Sequence, residues 1–356
     1  MYARPDLARL RPYGVALEEG LIRLDSNESP TDWPLELKQA LAREVAAIEF
    51  NRYPAGQRAE VQSLIADMHG VRANQVVMGN GLDEIIFLLM QAFGMSRRVI
   101  VQSPSFSEYV SAALVGGAEL VRVPLADGMR VEVDSLAEAA GDDDQCIVML
   151  CNPHSPTGGR VSSADVKRLI DATAGLIVAD EAYIDFCGDS ALPLLATAGD
   201  RLVIMRTLSK AFGSAALRMG YSISSPAVAF ELEKVRQPFN LDSLSLAAAK
   251  VALSCPTRRD DTVNAVVAER ARLEQALAQI PGVSWLTSCT NFLLVQVAGW
   301  ADDASPVWEG LKRRGVLVRR YASDPALVGR LRVTVGAPHE NRAFVAALRE
   351  FIQEGE

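Results

Sequence analysis

The chain has 356 residues, with 36 Lys plus Arg against 44 Asp plus Glu and a formal charge of −8. That length supports a large core spread over two or three domains, and the composition excludes a disordered chain, a collagen-like chain and a small disulfide scaffold. An acidic chain without a long Lys/Arg run excludes nucleic acid and anionic membranes as expected partners.

Apolar runs such as IIFLLM and CIVMLC are six residues long, far short of the ~18 that a spanning helix needs. The N-terminus MYARPDLARLRPYG lacks the apolar stretch of a signal peptide, so the expected location is the cytoplasm. Five cysteines without paired spacing are expected to be reduced thiols, most of them in the core. His69, His154 and His339 are scattered, with no second ligand at metal-binding spacing, so no metal site is expected.

In chain order, the first ~45 residues are dotted with Pro and read as an arm and one helix that joins a small C-terminal module. A large domain is expected over 46–240. Its predicted strands lie in 75–81, 98–104, 119–125, 145–153, 175–183, 201–210 and 219–226, separated by helical patterns such as 82–93 and 163–174. Strands apolar on both faces that alternate with helices predict an α/β fold with a mostly parallel sheet between helix layers. From 241 to 356 the pattern becomes α+β. Helical stretches at 245–254 and 261–282 precede strands at 291–297, 315–320 and 329–336 and a last helix at 340–353.

In open parallel sheets, ligands bind beyond the carboxyl ends of the strands. Here those ends read GNG, SPS, NPHSPTG, DEAY and TLSK, so five polar tips are expected to meet at one crevice. Lys210 follows an apolar strand, where a desolvated amine becomes a nucleophile for a carbonyl. Asp180 follows Leu176–Ala179, so its carboxylate at the edge of an apolar layer needs a cation or good donors. Pyridoxal 5'-phosphate (PLP) would satisfy both, its aldehyde forming a Schiff base with the lysine and its ring nitrogen pairing with the acid. By spacing alone the two residues are equally a surface ion pair. Their neighbours favour the cofactor: Asn152 and Tyr183 could reach the ring's 3-hydroxyl, the helix start after Gly79-Asn80-Gly81 and Arg218 could hold a phosphate, and Phe106 could stack on a planar ring.

The set GNGLDE, SPSFSEY, NPHSPTG, DEAYIDF, TLSKAFGSAALRMGY and LRVTVG resembles the fold-type I PLP-dependent aminotransferases and, more closely, the histidinol-phosphate aminotransferase family. The resemblance runs in order from LDSNESP to LRVTVGAPHEN, and DEAY followed by SKAFG is its most specific part. It implies Lys210 as the Schiff-base lysine, Asp180 at the ring nitrogen, Asn152 and Tyr183 at the 3-hydroxyl, and Phe106 stacked on the ring. Ser209, Arg218 and the Leu82–Asp83 backbone would hold the phosphate. Tyr53 would reach the cofactor of a second subunit, which implies a homodimer, and Arg332, Arg319, Tyr13 and Asn27 would face substrate.

The expected reaction moves an amino group from histidinol phosphate to 2-oxoglutarate. His154-Ser155, Asp25-Ser26 and Ser214-Ala215-Ala216 depart from the family's usual NPNNPTG, LNANENP and AFGLAGLR. An aromatic-amino-acid aminotransferase and a threonine-phosphate decarboxylase stay open on the same scaffold. A PLP-binding regulatory module would need a basic DNA-binding domain, for which ~45 residues leave little room. A nucleotide-dependent oxidoreductase lacks its third fingerprint glycine in GNGLDE, and GDSAL at 188–192 follows no convincing strand for a hydrolase.

Overall fold

The structure is a computed structural model that describes residues 20–322 and 324–355 together with Arg4, Leu7 and Leu10. Twelve strands among these residues form two sheets. In chain order they are β1 Ile22–Leu24, β2 Val76–Asn80, β3 Arg98–Ser103, β4 Glu119–Pro124, β5 Ile147–Cys151, β6 Leu176–Asp180, β7 Leu202–Thr207, β8 Met219–Ile223, β9 Val283–Trp285, β10 Phe292–Val297, β11 Val316–Arg320 and β12 Leu331–Thr334.

The seven-stranded sheet runs β2-β8-β7-β6-β5-β3-β4. Its β3–β4, β3–β5, β5–β6 and β6–β7 pairs are parallel, and only β8 runs against its neighbours β2 and β7. All seven predicted strands are present. Burial explains their composition: the residues of β5 are buried throughout, as are all of β6 but its first. Alternate residues of β6 enter different cores. Ile177 and Ala179 join one apolar cluster, while Val178 joins the other, on the opposite face of the sheet. That period of two carries on to Asp180 and Glu181 and decides which side each acid serves.

The five-stranded sheet runs β1-β11-β12-β10-β9 and covers a third cluster that includes Leu293, Val295, Val333, Phe344 and Phe351. Strand β1, from the first ~45 residues, pairs in parallel with β11 of this sheet. Helix Leu35–Ala46 buries no residue of its own. The predicted change of module at 241 differs from the packing. Helix Ser243–Leu253 gives Leu246, Ala249, Ala252 and Leu253 to a core of the large sheet, and only within helix Pro256–Leu277 does burial pass from Val266 in that core to Leu273 and Leu277 in the third cluster. Helix Ser243–Leu253 (SLSLAAAKVAL) is too evenly apolar for sequence to reveal which sheet it covers. Among the described residues no helix is long and apolar enough to cross a membrane.

Candidate active site

Because β2, β3, β5, β6 and β7 point the same way, their carboxyl ends share one edge of the large sheet. A cavity of about 410 Å³ opens there, lined by residues that include Ser26, Leu82, Asp83, Phe106, Tyr109, Asp180, Tyr183, Thr207, Ser209, Lys210 and Arg218. Eight of the residues anticipated from sequence or resemblance line it: six from strand tips and the turns after them, and two, Leu82 and Asp83, from the first turn of helix Gly81–Leu89.

Lys210 Nζ donates to the main-chain oxygens of Ser26 (3.3 Å) and Asn27 (3.1 Å). Both acceptors are neutral. Desolvation, followed by the nearby Arg332 guanidinium, pulls the amine down to about 8. It is therefore partly neutral near physiological pH, as a nucleophile or base must be.

Asp180 is 4% exposed. Its carboxylate accepts from the Tyr109 hydroxyl at 2.5 Å and from the Ala182 N–H at 3.0 Å. Among the described residues no cation pairs with it, and burial raises it to about 6. A buried carboxylate with two donors and no counter-charge is suited to a ligand that brings a positive charge. Tyr109 was not anticipated from sequence. The signal lay in SPSFSEY, since Tyr109 sits in the first turn of helix Ser107–Val115, three residues after Phe106, whose ring it meets edge-on at 5.5 Å.

Tyr183 lies beside the lysine, with Lys210 Nζ 5.9 Å from its ring centroid. Its hydroxyl accepts from Asn27 Nδ2 at 2.9 Å, and burial pushes it up to about 12. Asn27 stands behind this wall, outside the cavity lining. It has φ +54°, holds Tyr183 by its side chain and Lys210 by its carbonyl, and receives Asn291 Nδ2 on the same carbonyl at 3.0 Å.

Another part of the lining has the groups to hold an anion. Helix Gly81–Leu89 starts at the cavity, where first-turn N–H groups have no intrahelical acceptor. Two glycines allow the close approach: a Cβ on Gly81 would stand 2.6 Å from Arg218 Nη2, and one on Gly220 would stand 2.5 Å from the Leu82 nitrogen. Arg218 itself has φ +50° and reaches Asp83 Oδ2 at 3.0 Å. Thr207, also unanticipated, lines this part and fixes the turn by accepting from the Ser209 N–H at 3.1 Å.

Other expected residues stand away from the cavity lining. Asn152 is 1% exposed, and its amide bonds Val161 in both directions, Nδ2 to the carbonyl at 2.9 Å and Oδ1 from the N–H at 2.8 Å. It ties down the 152–161 loop and keeps one amide proton for another acceptor. Arg332 donates to Asp25 O at 2.8 Å and approaches the Oγ of Ser155, a lining residue, at 3.5 Å, while its buried Nε has no partner among the described residues. Arg319 is its cross-strand neighbour in the β11–β12 register and shares its face of the small sheet. Tyr53 is 76% exposed and stacks on Phe239 with centroids 4.3 Å apart. Tyr13 lies outside the described residues. His154 faces a different cavity, where Nδ1 meets Thr157 Oγ1 at 2.9 Å. Of the departures, Ser214 takes a hydrogen bond from Trp33 Nε1 at 3.0 Å, and Ala215 and Ala216 line the cavity.

The family model for class I and II aminotransferases matches residues 19–348. A histidinol-phosphate aminotransferase of Chromobacterium violaceum is 36% identical over 351 residues, 98% of this chain and 97% of that protein. One of Desulfitobacterium hafniense is 34% identical over 358 residues, 99% of this chain and 98% of that protein. The crystal structure of histidinol-phosphate aminotransferase from Sinorhizobium meliloti in complex with pyridoxal-5'-phosphate shares the fold, with a TM-score of 0.89 at 24% identity over 100% of this chain and 98% of that one.

Proposed function

The chain belongs to the class I and II aminotransferases, and from that premise we propose that it is a cytoplasmic, homodimeric PLP-dependent transaminase that interconverts histidinol phosphate and 2-oxoglutarate with imidazole acetol phosphate and glutamate. One observation carries the chemistry: a half-buried amine and a buried carboxylate face the same cavity, and neither neutralises the other. Their surroundings suit PLP. Lys210 would hold its aldehyde carbon, Asp180 its ring nitrogen and Tyr183 its 3-hydroxyl, with Asn152 the further candidate there. Phe106 would lie against the ring, and Ser209, Arg218 and the Leu82–Asp83 backbone would hold the phosphate.

When bound, the cofactor supplies an electron sink for the pair left when the donor's amino-bearing carbon loses its proton. The side chains do the remaining work. Lys210 Nζ, lowered toward neutrality, would take that proton and hold it for return to the product. Asp180 would hold the ring nitrogen protonated by its charge, and Tyr109 and the Ala182 N–H keep the carboxylate oriented. Tyr183 and Asn27 hold the lysine's wall in place.

Arg332, with Arg319 beside it, offers a bidentate fork to the anionic end of donor and keto acid, a role supported by the unpartnered Arg332 Nε. Arg332→Ala should raise KM for phosphorylated and dicarboxylate substrates by about tenfold or more, the scale of one charged hydrogen bond; an unchanged KM for both removes it from the site. The exposed Tyr53–Phe239 stack, with Phe50 75% exposed nearby in sequence, supports a surface that a second copy covers.

The test is an absorbance spectrum of the purified protein with PLP, before and after single amino donors without keto acid. Histidinol phosphate alone should rapidly convert the yellow band to that of the amine form. Conversion by phenylalanine instead keeps the transaminase and discards the phosphate substrate, and conversion by neither discards the donor class. A protein that never turns yellow with PLP refutes the Lys210–Asp180 reading.

A further inference from the structure

Thr334, the last residue of β12, is buried and stands outside the lining of the catalytic cavity. In the β10–β12 register it lies opposite Phe292, and the Val335 N–H donates to the Asn291 carbonyl at 2.8 Å. Asn291 and Thr334 therefore close the same end of the small sheet. Arg332, two residues earlier on β12, shares a face with Thr334.

This end of the small sheet holds segment 25–27 at three places. Arg332 Nη2 donates to the Asp25 carbonyl at 2.8 Å. The Thr334 hydroxyl accepts from the Asn27 N–H at 3.0 Å and donates to Asn27 Oδ1 at 3.3 Å. Asn291 Nδ2 donates to the Asn27 carbonyl at 3.0 Å. The same segment meets the large domain, where its Ser26 and Asn27 carbonyls accept from Lys210 Nζ and Asn27 Nδ2 donates to the Tyr183 hydroxyl.

Asn27 thus has every polar group engaged, main chain and side chain alike. Its φ of +54° lies in the left-handed region, which a residue other than glycine keeps only where its surroundings fix it. Tyr183 and Asn291 each make one hydrogen bond to it. Thr334 makes two, one to the main chain and one to the side chain, so a single hydroxyl sets both the backbone turn and the amide.

We propose that Thr334 is a positioning residue for the reaction, its hydroxyl fixing Asn27 so that the Ser26 and Asn27 carbonyls hold the Lys210 amine. The small sheet then decides where the lysine of the large sheet stands. The part this plays in turnover rests on Lys210 being the reacting amine, as proposed for the cavity; the holding itself does not.

A carbonyl that accepts from an ammonium group favours the protonated form. Without the Thr334 hydroxyl the Asn27 N–H is buried with no acceptor, and the turn that aims the two carbonyls at Nζ is released. The charged groups that act on the amine, Arg332, Glu28, Arg218 and Asp83, are untouched by a change at 334. The amine, already lowered to about 8, should therefore fall further.

The experiment uses the full-length protein freed of PLP, labels amines with acetic anhydride across a pH series and reads Lys210 by peptide mass spectrometry. Thr334→Val keeps the β-branched shape and removes only the hydroxyl. Its labelling midpoint should fall by about one pH unit. Thr334→Ala should fall likewise, and Thr334→Ser, which keeps the hydroxyl, should restore the wild-type midpoint. After loading with PLP, Thr334→Val should lose about tenfold in kcat with KM for donor and keto acid held within about twofold, and Thr334→Ser should recover the rate. An unmoved or raised midpoint in both Val and Ala variants overturns the proposal, as does a Ser variant that shifts as far as Val. A raised KM with unchanged kcat also overturns it, since Thr334 would then serve substrate binding. A wild-type protein that turns over no donor refutes the reaction alone, and the labelling midpoints still decide on Thr334.

Discussion

Asp180 and Glu181 are adjacent in sequence and both buried, yet the two faces of the large sheet treat them in opposite ways. Glu181 points to the face that carries Ile177 and Ala179 and is closed off there. It accepts from Arg206 Nη2 at 2.8 Å, from Ser190 Oγ at 2.8 Å and from the Ala191 N–H at 2.6 Å. Its charge is neutralised within the fold. Asp180 points to the other face and, among the described residues, receives only a phenol and one backbone N–H, neither of which carries charge. One acid completes a structural network, and the other is left for a cation from outside. A buried charge thus marks a site by what the fold has failed to pair with it, not by burial itself.

The contrast can be broken by substitution. The largest effect belongs to the partner of the open acid: Lys210→Ala should lower kcat by at least about a thousandfold, within the range of a positioned acid–base group, and near-normal turnover would sink the assignment. Asp180→Asn should lower kcat about a hundredfold while the melting temperature holds or rises, since an unpaired buried charge is removed. Glu181→Gln should do the reverse, costing about 3 kcal/mol in denaturant unfolding because Arg206 loses its buried counter-charge, with kcat of the folded fraction nearly unchanged. If Asp180→Asn destabilises and Glu181→Gln inactivates, the comparison is wrong.

The smallest effect is a pH dependence on the closed face. His69 bonds the Tyr221 hydroxyl at 2.8 Å, and burial, then Arg206 and Arg259, depress it to about 3. Between about 3 and the ordinary value of 6.5 the unfolded chain binds a proton that the folded chain does not. Stability should therefore fall as pH is lowered through that window. His69→Gln should flatten the slope in urea melts, and an unchanged slope refutes a neutral His69.

Much of the large sheet and part of the site were legible in the sequence. Apolar strands that end in Asp, Lys or Asn show where buried chain meets a polar edge, so β6 and β7 delivered Asp180 and Lys210 as expected. The second support of each was not legible. Tyr109 reads as a helix residue until helix Ser107–Val115 is laid over β6. Asn27 is 183 residues from the lysine it holds, and no local pattern encodes that contact. Asn152 sits at the expected strand tip, but the turn it starts brings Val161 back onto its amide.

The sequence by itself determined the secondary structure of the large sheet, the edge at which its polar tips lie and the placing of Asp180 and Lys210 at that edge, because periodicity and burial at strand ends are local properties. Tertiary structure decided which of two neighbouring acids stays unpaired, which sheet helix Ser243–Leu253 covers, and how Asn27 and Asn291 close around Lys210. Those outcomes depend on contacts between segments far apart in the chain, and their free energy exists only once the layers have packed.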